Sequence, residues 1–370
     1  MSQTADRFRR FLLPGLAFKA VVIGGGYATG RELAEFFLPF GPWGGVAAMG
    51  FAMLIWSLVA AATFAIAFQT GARDYRHFFQ VLLGRGWWAF EIAYAVFIVL
   101  ILAVFGAAAG AIAEALLGLP SLVGTIALMV AIAGCVAFGN RGVERAFVVL
   151  SVLLYATYAI FLALSLGGVG SEMAAAFARA APPDGLWMLG GLTYAGYNIV
   201  GAVLILPVTR HFRSRKDAVT AGLIAGPLAM LPALLFFASM VAFLPGIADA
   251  VLPSDYILSR LNHPLFNALF QLMIFAALLE SGIGAVHAVN ERVAKVRTVN
   301  MTVPLRIAIA VALLLPCMMV ADRIGLVALI ASGYRALAWV IIAVYVLPLF
   351  VHVVLRSGAK SGPALQMEAP

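Results

Sequence analysis

Long uninterrupted runs of apolar residues, separated by short polar segments, dominate the pattern of this chain. A bilayer hydrocarbon core of about 30 Å is crossed by roughly 20 apolar residues of helix. The runs lack the alternation of apolar and polar positions that an outer-membrane barrel requires. A short surface or re-entrant helix is predicted over 324–334. Ten runs are predicted to be transmembrane helices: 11–38, 45–70, 88–116, 121–138, 147–167, 187–208, 217–243, 264–289, 303–320 and 335–355.

The composition excludes a water-soluble protein. Hydrophobic residues make up 64% of the 370 residues and charged residues 11%, against roughly 45–50% and about 25% in soluble domains. Too little polar surface remains to cover a soluble core of this size, which excludes a cytosolic enzyme, a nucleic-acid-binding protein and a disulfide-stapled secreted domain. Cys135 and Cys317 lie in apolar runs without metal-ligand neighbours, so we expect both to be packed residues.

The net charge of +8 is explained by membrane topology. Lys and Arg accumulate in cytoplasmic segments of membrane proteins. Most of the 24 Lys and Arg residues fall on segments that are cytoplasmic if the N-terminus is inside. We therefore predict a multi-pass protein of the bacterial inner membrane with both termini in the cytoplasm, whose partners are the lipid bilayer and a small solute, with no nucleic acid.

The first predicted span is interrupted by a glycine-rich segment, Gly24–Gly30. Each glycine weakens a helix by about 1 kcal/mol relative to alanine. Nonhelical backbone persists at membrane depth only where protein or a watery cavity satisfies its polar groups. Thr29 and Glu32 have the spacing of a capping box, in which the hydroxyl accepts from the amide of Glu32. A new half-helix is therefore expected from near Gly30 to Leu38.

A second glycine-rich segment, 190–198, interrupts the sixth predicted span. Each segment opens a set of five spans, and an odd number per half inverts the second half relative to the first. Matched interruptions of this kind indicate a transporter's central site, although glycine in membrane helices often only permits close packing. We predict inverted repeats over 1–170 and 171–358 and a short disordered cytoplasmic tail over 359–370. Close packing alone is expected at Gly106, Gly110, Gly222 and Gly226.

Few ionisable residues lie within the spans, where they are costly and usually functional. Arg31 and Glu35 are four residues apart and can form a structural ion pair along one helical face. Lys19 and Arg31, set against Glu32, Glu35 and Glu280, leave one negative charge that a cation or a proton would neutralise. Glu280 is assigned either to this coupling or to a structural hydrogen bond. The polar stripe that continues from Glu280 is predicted to face the bundle and contains Gly284, His287 and Glu291.

The segment Gly24–Phe37, GGGYATGRELAEFF, resembles the first-helix signature of the YkvI-type bacterial membrane proteins. These are relatives of the LeuT-fold transporters in the amino acid–polyamine–organocation superfamily. The stretch Ile330–Trp339 is similar to the start of their last helix, with Arg335 where a glycine is expected. The resemblance covers all ten spans. It implies an all-α membrane protein with a five-plus-five inverted repeat, in which helices 1 and 6 are discontinuous around a site at the midplane.

The resemblance also implies where a coupling ion would bind. In sodium-coupled members, one ion lies between the unwound first helix and hydroxyls of helix 8, which on this chain are the backbone from Ile23 to Tyr27 and Ser281. Glu280 is adjacent, and a carboxylate there favours a proton or a different cation over a plain sodium site. The Asp-Pro-Gly signature of the metal-transporting branch is absent, so no metal is expected. The residues assigned to ion or proton coupling are Ile23, Glu32, Glu35, Glu280 and Ser281.

These features favour an inner-membrane secondary transporter that moves an amino acid or related organic solute by alternating access. No cofactor is expected beyond a bound Na⁺ or a coupling proton. The amides at the start of the second half-helix suit a carboxylate or another anion. The residues expected to contact the solute are Gly24, Gly25, Gly26, Tyr27, Thr29, Gly30, Thr193, Tyr194, Tyr197 and Asn198.

Two other classes of function remain open. A sensor or partner-dependent subunit with the same fold would bind a ligand without moving it, and such proteins usually carry a cytoplasmic output domain, which we do not expect in the short tail. A channel needs a continuous polar pore, and only part of the eighth span is polar along one face. An enzyme is not expected, because no nucleophile–base pair or metal-ligand set is recognisable.

Overall fold

The structure is a computed structural model that describes residues 3–22, 25–138, 156–183, 185–297 and 302–359. Every regular element in these ranges is helical, and they contain no strand. The predicted all-helical class is therefore confirmed.

Fifteen helical segments organise the described chain. A short helix, Gln3–Arg7, and a π-helical turn, Phe8–Leu12, precede the first of them. The segments are α1 (Leu13–Val22), α2 (Arg31–Phe36), α3 (Gly41–Thr70), α4 (Tyr75–Leu83), α5 (Trp88–Leu117), α6 (Ser121–Phe138), α7 (Ala156–Gly168), α8 (Gly170–Arg179), α9 (Trp187–Asn198), α10 (Val200–Leu204), α11 (Arg215–Val241), α12 (Pro253–Arg260), α13 (Pro264–Arg297), α14 (Val303–Ile324) and α15 (Leu326–Leu355).

Six segments of the described residues are long and apolar enough to cross a membrane, and a seventh is added if α7 and α8, bent by 68°, form one span. The six are α2 together with α3, then α5, α11, α13, α14 and α15. The predicted count of ten also uses α1, α6, α7 and α9, each too short to qualify alone, so that count stays a prediction. Residues 147–155 of the predicted fifth span lie outside the described residues.

The first predicted span is interrupted where its glycines lie. Between α1 and α2 there is one short helical turn, Gly25–Ala28, followed by a bend in which Gly30 has a φ of +80°. The predicted capping box is wrong. The Thr29 hydroxyl accepts from the amide of Arg31 at 3.2 Å, because the left-handed conformation makes Gly30 the N-cap and shifts the helix register by one residue.

The sixth predicted span was expected to be interrupted by its glycine-rich segment, but the helix continues through that segment. α9 continues through its glycines to Asn198, and only a turn at Ile199 separates it from α10. A Cβ at Gly190 would lie 2.3 Å from the carbonyl oxygen of Phe36, and one at Gly191 would lie 2.4 Å from that of Ala48. These glycines therefore permit α9 to approach α2 and α3, and the interruption lies after the glycine run.

The last helix begins earlier than predicted. α15 starts at Leu326, directly after Gly325, so 324–334 is not a separate surface helix. Its second segment, Leu329–Tyr334, is a wider π-helical turn that leads into Arg335–Ile341 without a gap. π-helical turns in longer helices often occur at functional sites.

Two groups of helices form the core. α11 packs against α3 and α1, and α9 packs against α3 and α15, whereas α5, α6, α13 and α14 pack against one another. Small residues allow the close contacts, as predicted: a Cβ at Gly222 would lie 2.3 Å from Ala61 backbone atoms, and one at Gly110 would lie 2.6 Å from the Ser121 carbonyl oxygen. Gly106 and Gly226 are similarly crowded.

Candidate functional site

A buried carboxylate lies beside the break in the first helix. Glu32, in the first turn of α2, is 5% exposed. The Tyr197 hydroxyl of α9 donates a hydrogen bond of 2.6 Å to its Oε2 atom. No ion pair of the described residues includes Glu32. A buried carboxylate without a cationic partner is costly unless a proton or a bound cation neutralises it.

Tyrosine side chains from four helices surround this carboxylate and the adjoining bend. The Tyr197 ring stacks on the Tyr334 ring of α15, with centroids 4.4 Å apart. The Tyr158 hydroxyl of α7 donates to the Tyr27 hydroxyl at 3.5 Å. These four rings and Tyr194 are each at most 6% exposed. We call these five residues the tyrosine cage: Tyr27, Tyr158, Tyr194, Tyr197 and Tyr334.

The Tyr194 hydroxyl is the unsatisfied group of the cage. Its oxygen is fully buried and has no hydrogen-bond partner among the described residues. The ring packs against Phe37 and Trp56, with centroids 4.8 and 5.4 Å away, and the indole nitrogen of Trp56 donates to the Ala195 carbonyl. Buried hydroxyls in proteins are nearly always hydrogen-bonded. This hydroxyl is therefore an exception that calls for a partner outside the described residues.

The other charged residues of α2 lie near the loop between α11 and α12 and near α15. The predicted Arg31–Glu35 ion pair is present, with a distance of 3.1 Å. The Arg31 guanidinium also donates to the Ala248 and Ala250 carbonyls at 2.9 Å each. Arg335 lies 3.6 Å from Glu35 on its other side. Glu35 thus joins α2 to α15, and its carboxylate is already paired.

The connection between α11 and α13 covers one side of the bend. The Ser254 amide donates to the Thr29 carbonyl at 3.0 Å, and Gln271 of α13 donates to the Ser254 hydroxyl at 3.3 Å. A Cβ at Gly30 would lie 3.1 Å from Pro253. This segment therefore contacts the bend directly.

The predicted polar stripe of α13 is less buried than expected. Gly284 and Glu291 are exposed, and Glu280, Ser281 and His287 are partly buried. The prediction that this stripe faces the bundle is therefore wrong at Gly284 and Glu291. The packed face of α13 is formed by Leu278, Gly282, Val286 and Asn290.

The remaining predicted residues have mixed positions. Thr29 is buried at the bend. Thr193 and Asn198 each donate a side-chain hydrogen bond to a carbonyl of α9, at 2.7 and 3.1 Å, and so are already satisfied in part. Gly25 and Gly26 lie in the short turn between α1 and α2. Ile23 and Gly24 lie outside the described residues.

Sequence analysis missed three residues of this site. Tyr158 and Trp56 lie in apolar runs that look like ordinary membrane helices. Tyr334 lay within the Ile330–Trp339 motif, which was the available signal. No group of three His, Cys, Asp or Glu side chains able to hold a metal occurs among the described residues.

Comparison with known proteins supports the resemblance on which part of this prediction depended. No family model matches the chain. The chain is 26% identical over 287 residues to the uncharacterized membrane protein YkvI of Bacillus subtilis (strain 168), which covers 75% of this chain and 80% of that protein. The predicted similarity is confirmed.

Solved structures show the fold. MhsT in complex with L-phenylalanine superposes with a TM-score of 0.62 and 18% identity, covering 89% of this chain and 87% of that one. The chain has the LeuT fold. A Na⁺-coupled sialic acid symporter in a substrate-bound, outward-open state superposes with a TM-score of 0.60 and 14% identity, covering 94% and 81%. The second of these proteins is a symporter.

Proposed function

We propose that this chain is a secondary active transporter that moves a small organic solute by alternating access. The observation that carries the proposal is Glu32, a carboxylate that is buried without an ion pair beside an interrupted helix. LeuT-fold proteins that bind L-phenylalanine or transport sialic acid with Na⁺ support the class of function. An amino acid or a related compound is the proposed solute.

The proposed architecture is ten spans in two inverted repeats, over 1–170 and 171–358, with both termini in the cytoplasm of a bacterial cell. The first span is α1 with α2, and the sixth is α9 with α10. Each is interrupted near its middle, as expected if the two repeats meet at a central site.

The proposed solute site lies where α2, α9 and α15 meet. Backbone groups around Gly25–Gly30 would hold one end of the solute, and the tyrosine cage would form the walls. Tyr194 is the best-supported member, because its buried hydroxyl has no partner in the part of the chain that the structure describes.

Coupling is proposed at Glu32, through a proton or Na⁺. Glu280 and Ser281 remain candidates for a second ion position, and Glu35 is a weaker one because it is paired with Arg31 and Arg335. A carboxylate at low dielectric binds a proton more readily than one in water, which favours proton coupling.

The test uses the purified full-length chain, with thermal unfolding measured against amino acids and organic solutes in Na⁺ and in K⁺, at pH 5.5 and 7.5. A ligand that binds only the folded state stabilises it by about 2.7 kcal/mol at a hundredfold excess over Kd. Ligands found in this way are then tested for uptake into proteoliposomes. We expect Glu32→Gln to remove both coupled uptake and its dependence on pH or Na⁺.

Glu114→Gln, at an exposed position of α5, makes the same chemical change and is expected to leave uptake intact. Loss of coupling in Glu280→Gln but not in Glu32→Gln would move the coupling site to α13. Ligand binding without any uptake would contradict transport and favour a sensor or partner-dependent subunit.

A further inference from the structure

The tyrosine cage and Glu32 form a site with one acidic group and no basic group. Four phenol side chains interact electrostatically with Glu32, those of Tyr27, Tyr194, Tyr197 and Tyr334. A phenol is neutral at physiological pH because its ordinary pKa is about 10. The site therefore carries a single negative charge when Glu32 is ionised.

The charged groups on neighbouring elements do not offset this charge. Arg31 and Arg335 both pair with Glu35 on the outer side. Asp249, on the loop that covers α2, is exposed and would add negative charge. Glu280 of α13, which packs against the short turn before α2, is a partly buried carboxylate of the same sign. Because no cationic side chain of the described residues pairs with Glu32, a bound cation could neutralise it.

The geometry favours an organic cation. The Tyr197 hydroxyl donates one hydrogen bond to Glu32. The Tyr194 oxygen has no partner among the described residues and can accept a hydrogen bond from a ligand. Aromatic ring faces attract cations, and rings of Phe36, Phe37 and Trp56 lie 4.8 to 6.1 Å from the Tyr194 ring. An ammonium group supplies both the charge and the N–H donors that these acceptors need. An anion would be repelled by Glu32 whenever that carboxyl is ionised.

We propose that the site binds a cationic amine in exchange for a proton, an inference that rests on the proposed transport function. Without ligand, the Glu32 carboxyl holds a proton. When an ammonium group binds, that proton leaves to solvent, and the carboxylate pairs with the cation, so the site stays neutral. One carboxyl cannot hold both, so each amine that crosses in one direction is matched by a proton in the other.

The test is calorimetric titration of the full-length protein with 2-phenylethylamine, an aromatic primary amine, at pH 6, 7 and 8. Repeating it in buffers with different ionisation enthalpies counts the protons released. We expect release to approach one proton per amine at low pH, with an affinity that weakens by up to about tenfold per pH unit of acidification. Uncharged 2-phenylethanol is expected not to bind.

Matched variants assign the effect to the site. Glu32→Gln should weaken amine binding by about a hundredfold and abolish proton release, because the charge partner is lost. Glu32→Asp, which keeps the carboxyl, should keep proton release. Tyr194→Phe should weaken binding by about tenfold. Tyr345→Phe removes a buried hydroxyl bonded to Thr63 in a separate ring cluster and should leave the affinity unchanged.

Three results would overturn the proposal in different ways. Amine binding that is independent of pH and releases no proton would contradict the exchange of an amine for a proton. If the protein bound zwitterionic L-phenylalanine with Na⁺ and did not bind the amine, the amine would be excluded as the ligand, whereas the proposed transport function would stand. The absence of binding and uptake for every solute, in a protein that still unfolds cooperatively, would reject the proposed function itself.

Discussion

Gly30 has a backbone conformation that glycine adopts without strain and other residues rarely do. Its φ is +80°, and a Cβ there would lie 2.7 Å from the Phe236 ring. Two separate costs therefore act on a side chain at this position: left-handed backbone strain and steric overlap with α11. The bend that orients Glu32 depends on both being absent, which connects one residue's conformation to the candidate site.

A comparison of two glycines separates these costs. Gly71 has a similar left-handed conformation, with a φ of +69°, but no atom lies within 4 Å of its Cβ position. We expect Gly71→Ala to lower the free energy of unfolding by about 1 kcal/mol through strain alone. Gly30→Ala should cost about 1–3 kcal/mol more, because its methyl group is overpacked. Equal losses in thermal unfolding would show that crowding at the bend is unimportant.

At the scale of the helices, a glycine-rich segment can either interrupt a helix or let a continuous helix pack closely against its neighbour. The sequence alone does not distinguish these two roles. In the first span the glycines coincide with an interruption, and the left-handed Gly30 explains it. In α9 a similar run lies inside a continuous helix and lets it approach the Ala48 and Phe36 carbonyls. Only the distance to a neighbouring helix distinguishes these cases, and that distance depends on residues far away in the chain.

The prediction for α9 follows from that contact. A Cβ at Gly191 would lie 2.4 Å from the Ala48 carbonyl oxygen, a backbone atom that cannot rotate away. Gly191→Ala should therefore lower the free energy of unfolding by about 1–3 kcal/mol. Gly50→Ala, in α3 with nothing within 4 Å, should raise it by about 0.5–1 kcal/mol, since alanine is the better helix former. The same sign for both variants in thermal unfolding would contradict the packing role of Gly191.

At the scale of the whole molecule, apolar runs and the first-helix motif were sufficient to predict the helical class and the resemblance to LeuT-fold proteins. They also identified Glu32, Tyr194 and Tyr197 as candidates. They did not predict that Tyr158 and Tyr334 both belong to the tyrosine cage. These residues come from helices that are remote in sequence, and the local pattern of apolar residues does not indicate which helices pack together. The predicted orientation of the α13 polar stripe was wrong at Gly284 and Glu291 for the same reason, since burial of one helix face is decided by its neighbours.

The position of the N-terminal segment also depends on contacts with residues that are remote in sequence. The N-terminal segment is held to the start of α11 by an ionic network, in which Arg10 lies 3.0 Å from Asp6 and 3.2 Å from Asp217. Arg213 lies 2.7 Å from Asp6. The Arg10 and Asp217 side chains are 19% and 10% exposed, whereas Arg213 is 67% exposed. The two ion pairs lie close together but differ in burial. We therefore expect the buried Arg10–Asp217 pair to contribute more to the free energy of unfolding than the exposed Arg213–Asp6 pair.

Double-mutant cycles measure that difference. For Arg10→Ala with Asp217→Ala we expect a coupling free energy of about 1–3 kcal/mol, because the pair is mostly removed from water and Asp217 also accepts from the Arg213 amide at 3.0 Å. For Arg213→Ala with Asp6→Ala the exposed guanidinium is screened, so the coupling should be about 0–1 kcal/mol and should fall further as salt is added. Coupling as strong in the exposed pair as in the buried one, measured by thermal unfolding, would mean that burial does not decide how the N-terminal segment is anchored. Because this segment leads directly into α1, the buried pair attaches the start of the first predicted span to α11.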